Sequence, residues 1–382
     1  MITTIKKLFE EKYNAEPFLV RSPGRVNLIG EHTDYNEGFV LPAAVDKAVY
    51  VGIGVREDEE IHLYSADFHQ DHVVSLSSLT PSEKGWPNYV LGVADQLQKN
   101  NYPVKGFNLV LGGDVPLGAG LSSSAAVECA VIFALNKLFD FQIERMQLVR
   151  MAQLAEHTFA GVKCGIMDMF ASMFGKEGYA MKLDCRSLDY EYIPLNLQGY
   201  KILLINTNVK HSLSSSAYNE RREQCEQGVH WVQQKYPHAK SLRDVTLDML
   251  DQYVLERDAL VYKRCRYVVE ENQRLLVGCQ DLKHGFIEGL GEKMFRSHEG
   301  LSKEYEVSCK ELDFLVDFVK GNPDVLGARM MGGGFGGCTI NLVREEAIPA
   351  LIDRISPVYY EATGLELTAY IAQIENGTSV VG

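Results

Sequence analysis

The residues best suited to chemistry stand at 116–125, which read PLGAGLSSSA. Gly118 and Gly120 let backbone N–H groups approach an anion with no Cβ in the way. The run then enters a helical pattern, whose first-turn N–H groups and positive dipole end point the same way. Ser122, Ser123 and Ser124 add hydroxyls for phosphate oxygens or a metal ion. Serine is also a favoured helix cap, but a cap needs one serine, and three after two glycines favour an anion site. Neither G-x-x-x-x-G-K-[ST] nor G-x-G-x-x-G is present, so this is not a Walker A loop or a dinucleotide fingerprint.

Three further segments could complete such a site. Five of the six residues at 332–337 (GGGFGG) are glycine, a considerable entropic cost to folding. Alone they read equally well as a surface loop; beside the first loop they read as a second wall of a phosphate pocket. Segment 24–35 (GRVNLIGEHTDY) sets Arg25, Asn27, Glu31, His32, Asp34 and Tyr35 among apolar residues. That density suits a ligand rich in hydroxyls, whose protons carboxylates accept, although a polar turn beside a strand has the same composition. Finally, CGIMD (164–168) puts Asp168 at the start of a helix, where an N-cap is the ordinary explanation. Glu156, one helix upstream, reads by itself as a solvated residue.

Periodicity supplies the elements that must hold these segments. Strands are predicted at 18–22, 47–55, 61–66, 106–111, 178–184, 201–206, 338–343 and 366–373. Helices are predicted near 88–99, from 122, and over 143–160, 214–235, 258–277, 308–320 and 346–362, with a short one from 168. Residues 22–39 read as a loop and the N-terminus as an amphipathic helix. This mixture makes an α+β or mixed α/β protein. A length of 382 residues suggests two domains, with the division placed at 1–185 and 186–382.

Composition narrows the partners. Hydrophobic residues make up 46% and charged residues 23%, with a formal net charge of −13. An acidic chain with dispersed basic pairs argues against nucleic acid or an anionic membrane as partner, but not against a phosphate held by local donors and a metal ion. No apolar run approaches a membrane span, and the N-terminus lacks signal-peptide character. Eight scattered cysteines without a C-x-x-C pair read as reduced thiols of a cytoplasmic protein. No histidine or cysteine cluster has zinc spacing.

Taken together, these segments resemble the galactokinase family of the GHMP small-molecule kinases, over nearly the whole chain. GRVNLIGEHTDYN matches the family's signature and P-x-G-x-G-L-S-S-S-A the superfamily's ATP motif. CGIMD, LDCRSL (183–188), Y-N-x-R-R-x-x-C (218–225) and GGGFGGC follow in the family's order. The resemblance implies an N-terminal ribosomal-protein-like domain with a left-handed βαβ crossover, a C-terminal ferredoxin-like domain, and an active site between them. It implies ATP-dependent phosphorylation of the C1 hydroxyl of galactose, giving galactose 1-phosphate and ADP, the first committed step of galactose catabolism. By position, Glu31, His32, Asp34, Gly165 and Tyr218 would bind the sugar together with Arg25 and Asp168. Asp168 would be the catalytic carboxylate, with Arg25 stabilising charge beside it. Gly118, Ala119, Gly120, Leu121, Ser122, Ser123 and Ser124 would hold the nucleotide phosphates, with Ser65 nearby, and Ser124 and Glu156 would carry Mg²⁺. The implied protein is a monomer or weak oligomer.

Two positions depart from the family pattern: Met169, where glutamine is common after the catalytic aspartate, and Met331, where threonine is common before the glycine cluster. Each replaces a hydrogen-bonding side chain with a flexible apolar one, which puts fine sugar selectivity and the phosphate hydrogen bonds in question. Two other readings remain open: a kinase of the same superfamily for another sugar, such as N-acetylgalactosamine or arabinose, and a sensor that binds ATP and galactose without turnover. The uninterrupted loop at 118–125 with Asp168, Arg25 and Glu156 favours catalysis over the sensor.

Overall fold

The computed structural model describes residues 1–116, 118–209 and 214–381, with the backbone alone at 214–216. Leu117 of the first glycine loop and the start of the helix predicted near 214 adjoin or lie outside the described residues. The N-terminal amphipathic pattern forms α1 (Ile2–Tyr13), which buries Ile5 and Phe9. There follow β1 (Phe18–Asn27), β2 (Phe39–Val40), β3 (Pro42–Val55), β4 (Glu60–Ser65), β5 (Gln70–Ser75), α2 (Asn88–Lys99), β6 (Phe107–Gly113), α3 (Ser123–Leu138), α4 (Arg145–Ala155), α5 (Met167–Phe174), β7 (Tyr179–Asp184) and β8 (Tyr190–Pro194). The second half runs β9 (Tyr200–Asn206), α6 (Ser214–Gln233), α7 (Leu247–Tyr253), α8 (Ala259–Lys283), α9 (Ile287–Lys303), α10 (Lys310–Val319), β10 (Val325–Met330), β11 (Cys338–Arg344), α11 (Ile348–Thr363), β12 (Thr368–Ala372) and β13 (Ser379–Val380).

A six-stranded sheet of order β13-β1-β3-β6-β4-β5 carries the first half. Its pairs are antiparallel except β4 with β6, between which the chain runs through β5 and α2. One face buries Val49, Val51 and Ile53 in a core shared with α2 to α5. The other face takes α1, where Ile5 and Phe9 pack with Leu19 and Val110. The second half holds an antiparallel sheet of order β10-β11-β9-β12, packed by α9, α10 and α11. A third sheet, β2-β7-β8, joins early and middle segments. The β7–β8 hairpin passes through residues 185–186, and β13 brings the end of the chain back to β1.

Several elements depart from the periodicity reading. β1 does not stop at 22: after a register shift between Pro23 and Arg25 it continues, pairing Arg25 with Ala44 and Val26 with Ala43. Arg25 therefore stands on a strand, not a loop. The helix predicted over 143–160 ends as α at Ala155 and finishes in a π-helical turn, Glu156–Ala160. Within that turn Thr158 Oγ1 bonds back to the Leu154 carbonyl at 2.8 Å, a competitor for regular helical bonding. The periodicity reading omits β2, β5, β8, α7, α9, β10 and β13. α9 is amphipathic, burying Ile287, Leu290, Met294 and Leu301 along one face, and its glycines, which weaken helix propensity, permit close packing on β10. A Cβ at Gly291 would lie 2.2 Å from the Leu326 carbonyl oxygen, and one at Gly327 would lie 2.5 Å from Gly291 Cα.

Candidate active site

The loop at 118–122 enters α3 through three left-handed residues, Gly118 (φ 73°), Gly120 (φ 72°) and Ser122 (φ 54°). Ser122 occupies the N-cap position, but its side chain caps nothing. Its hydroxyl instead donates to Asp168 Oδ2 at 2.5 Å. Ser124 likewise donates outward, to Glu156 Oε1 at 2.9 Å. The serines are thus tied to two carboxylates and not to their own helix, so the cap explanation fails for both. Ala119 and Leu121 are buried beneath the turn and contribute backbone.

β1 positions the charged partner. Arg25 is buried, with Nε 2.7 Å from Asp168 Oδ1 and Nη1 donating to the Gly120 carbonyl. Its backbone N–H donates to the Leu121 carbonyl at 3.1 Å. Gly24 makes that approach possible, because a Cβ there would stand 2.7 Å from the same oxygen. Asp168 lies in the first turn of α5, whose N-cap is Ile166, so it is not a cap. One of its oxygens takes Arg25 and the other takes Ser122.

A cavity of about 230 Å³ opens beside this group, lined by Arg25, Glu31, His32, Asp34, Gly165, Asp168, Tyr218, Gly332 and Gly333 among others. Each residue expected to hold the sugar is on this wall. Glu31 is nearly fully buried; its Oε1 accepts from Gly332 N–H at 2.8 Å and from Arg329 Nη2 at 3.1 Å. Asp34 Oδ1 accepts its neighbour Tyr35's N–H at 2.9 Å. Gly165 is there by necessity, since a Cβ would fall 1.8 Å from Asp34 Oδ2. Tyr218, on α6, packs its ring 5.3 Å from that of His32.

Burial sets the protonation of this wall. Desolvation first, and then the Asp168 charge, push Asp34 up to about 7, against the Tyr35 N–H and Arg25. Burial lowers His32 to about 4, against the nearby Glu31 charge, so the imidazole is neutral at pH 7. Glu156, buried at the π turn, is likewise raised to about 7 by desolvation and by Asp168, with the Ser124 and Cys164 bonds opposing. Perturbed carboxylates gathered in one cleft are a mark of functional sites.

A second cavity, of about 280 Å³, lies on the other side of the glycine loop. Val49, Phe68, Trp86, Tyr89, Leu111, Val115 and Val127 make it apolar and aromatic, and it opens onto Ser123 and Ser124. Ser65 is not on that wall: it is fully buried and its Oγ accepts from Phe68 N–H at 3.3 Å, holding the turn that presents Phe68. The glycine cluster forms a shared partition. Gly332 and Gly337 pack backbone to backbone against 118–120, while Gly332 N–H reaches Glu31.

Sequence reasoning missed several residues here. Arg329 is the main one, fully buried and bonded to the Leu28, Met330 and Asn27 carbonyls as well as to Glu31. It stands three residues before the glycine cluster, and a lone arginine in an apolar strand was the available signal. Trp86, just before α2, and Tyr89, in its first turn, were legible only as aromatics at a helix start. Of the two departures, Met169 is buried in the core away from the cavity wall, and Met331 packs beside Gly120.

The protein oxygens facing both cavities fit a hard divalent cation. Ser124 Oγ and Glu156 Oε1 are adjacent oxygen donors, and among the described residues no cluster of three His, Cys, Asp or Glu side chains is placed to enclose a metal. Mg²⁺ suits such a partial set, since it keeps waters and phosphate oxygens for the rest of its shell.

Comparison with known proteins decides the family. Residues 88–176 match the GHMP kinases N terminal domain, 280–361 the GHMP kinases C terminal model, and 7–55 the galactokinase galactose-binding signature. Galactokinase of Thermotoga petrophila is 42% identical over 364 residues, covering 95% of this chain and 99% of its own. The chain belongs to the galactokinase family. Another member, from Roseiflexus sp., is 38% identical over 378 residues, or 99% and 96% of the two chains. The crystal structure of Lactococcus lactis galactokinase complexed with galactose is 36% identical with a TM-score of 0.95, covering 99% of each chain. Methanococcus jannaschii mevalonate kinase, at 19% identity and a TM-score of 0.65 over 95% and 99% of the chains, shares the fold alone. The two-domain α+β architecture of GHMP kinases expected from the sequence is the one observed.

Proposed function

We propose that this protein is a galactokinase, transferring the γ-phosphoryl group of ATP to the C1 hydroxyl of α-D-galactose. The observation that carries the reading is Asp168, held by Arg25 and Ser122 at the junction of a hydroxyl-binding cavity and a glycine/serine anion loop. Galactose occupies the first cavity, with Glu31, His32, Asp34, Gly165 and Tyr218 around it. The nucleotide lies across 118–124, its base in the aromatic cavity.

The chemistry follows from positioning. Phosphoryl transfer needs an aligned nucleophile and stabilised charge on the equatorial oxygens. Asp168 accepts the hydrogen bond of the C1 hydroxyl and receives its proton as the bond from the C1 oxygen to the γ-phosphorus forms and that from the γ-phosphorus to the bridging oxygen of the leaving ADP breaks. Arg25 and Ser122 fix both of its oxygens, so the carboxylate orients the nucleophile as well as accepting the proton. Backbone N–H groups of the loop and the N-terminus of α3 meet the phosphates. Mg²⁺, held by Ser124 and Glu156, would neutralise phosphate charge. We further propose a cytoplasmic enzyme, monomeric or weakly associating, with domains divided at 1–185 and 186–382. Among the described residues no helix is long and apolar enough to cross a membrane.

A coupled ADP-release assay over galactose, glucose, N-acetylgalactosamine and arabinose tests this, with galactose expected as the best acceptor. Another preferred sugar would overturn the substrate, and tight binding without turnover would mean a sensor. Asp168→Asn is expected to lose about 10²–10⁴-fold in kcat while still binding galactose.

A further inference from the structure

His32 stands at one end of a buried line of hydroxyls that the roles above leave unused. Its Nδ1 lies 2.7 Å from Tyr35 Oη. Tyr35 Oη lies 2.8 Å from Tyr305 Oη, and Tyr305 Oη 3.2 Å from Cys225 Sγ. Tyr305, just beyond α9, and Cys225, on α6, are fully buried. The Tyr305 ring also packs 5.0 Å from the His32 ring and 4.9 Å from that of Tyr267, which fixes its hydroxyl. The line therefore ties the sugar-pocket loop to α6 and to the segment that follows α9.

Such a line can run in two directions, because each hydroxyl carries one proton and a neutral imidazole carries one. With the ring proton on Nδ1, Tyr35 must donate to Tyr305 and Tyr305 to a thiol sulfur, a weak acceptor. Nε2 would then be a bare lone pair. With the ring proton on Nε2, Tyr35 donates to Nδ1, Tyr305 donates to Tyr35, and the weak S–H donor takes the end of the line. The Nδ1 end chooses between them: at 2.7 Å the phenol O–H is the better donor and the neutral imidazole nitrogen the better acceptor of the pair, while Nε2 is buried with no partner among the described residues and is left to carry the ring proton. His32 and Gly333 both line the sugar cavity.

We infer that Tyr305 is a positioning residue for sugar recognition: through Tyr35 it holds neutral His32 in the Nε2–H form, so that the ring offers the ligand a hydrogen-bond donor. This rests on the sugar reading of the cavity. The ligand atom facing Nε2 is then an acceptor, a hydroxyl or ring oxygen of a monosaccharide. Tyr305 touches no ligand and acts only by fixing which ring nitrogen carries the proton.

The test is ¹⁵N NMR of histidine-ring-labelled full-length protein, with the His32 signal identified by its loss in His32→Gln. In the unsubstituted protein a single Nε2–H signature is expected. Tyr305→Phe, which deletes one oxygen and keeps the ring, should populate both forms. It should also raise the galactose KM about three- to tenfold, the scale of one weakened neutral hydrogen bond, with kcat and the ATP KM within about twofold. An Nδ1–H signature in the unsubstituted protein overturns the inference and needs no variant to fold. So does a Tyr305→Phe protein whose His32 signature and galactose KM are unchanged. A Tyr305-dependent signature in a protein that phosphorylates no sugar would support the relay and sink the sugar reading instead.

Discussion

Arg329 offers the sharpest test of how the site is held. Its guanidinium donates to the Asn27 and Leu28 carbonyls at the end of β1 and to Glu31 at 3.1 Å, while β10 carries it. Arg329 and Glu31 are 0% and 2% exposed, so the ion pair is desolvated. Arg329→Met keeps much of the side-chain volume and removes every donor. Breaking one partner of a buried pair costs about 3–5 kcal/mol, and the carbonyls left unbonded add to that, so about 4 kcal/mol is a lower estimate. Unfolding entropy of about 2.1 cal/mol/K per residue, over 382 residues, gives about 0.8 kcal/mol/K, and hence a fall in Tm of about 5 °C or more. Differential scanning calorimetry reads it, and initial-rate kinetics should show the galactose KM rising about tenfold as Glu31 loses one of its two anchors. Adding Glu31→Gln to Arg329→Met should recover part of the stability but none of the affinity, because the uncompensated charge is what costs most. A Tm within about 1 °C of the unsubstituted protein, with unchanged galactose KM, would refute the reasoning.

Gly165→Ala would drive a Cβ to 1.8 Å from Asp34 Oδ2; the galactose KM should rise about tenfold or more with the ATP KM within about twofold, as steady-state kinetics will report. Ser124→Ala and Glu156→Gln should each shift the Mg²⁺ dependence of turnover to higher concentration, and isothermal titration should show weaker Mg-ATP binding with galactose binding intact. Asp34, raised to about 7 in the folded state against an ordinary 3.8, favours folding while protonated; that contribution is whole below pH 4 and is lost as pH rises through 7. Asp34→Asn should therefore match the unsubstituted protein in ligand-free Tm near pH 4 and gain on it steadily up to pH 8; a parallel pair of pH–Tm curves would contradict this.

Much of the site was legible because its residues are contiguous in sequence. The glycine/serine loop, the GRVNLIGEHTDY segment and CGIMD each announce themselves by composition, and the fold brings them together as the motif order implied. What stayed hidden depends on contacts between distant segments. Asp168 and Glu156 look like ordinary helix residues until Ser122 and Ser124 turn from the helix end to meet them. Arg329 looks like a strand residue until its guanidinium meets the Asn27 and Leu28 carbonyls at the end of β1. α9 differs: its apolar residues do recur at helical spacing, and the glycines that let it approach β10 lower only its intrinsic propensity. Local pattern reports local preference, and these features are settled by what lies across the interface.

The charge balance of the cleft explains why an acidic protein can hold phosphates. Asp34, Glu156, Asp168 and the buried Glu128, one helical turn beyond Ser124 and without a hydrogen-bond partner among the described residues, share one region, where Arg25 bonds directly to Asp168. Desolvation and mutual repulsion raise Asp34 and Glu156 to about 7 and push Glu128 well above the ordinary carboxylate range. The ligand-free site is thus short of positive charge, not oversupplied with it. A cation on Ser124 and Glu156 would relieve that repulsion and face the phosphates at once, whereas arginines in its place would leave the nucleotide bound when the metal departs. An acidic cleft of this kind would make nucleotide binding conditional on a cation, with the glycine loop, which offers only N–H dipoles, supplying the rest.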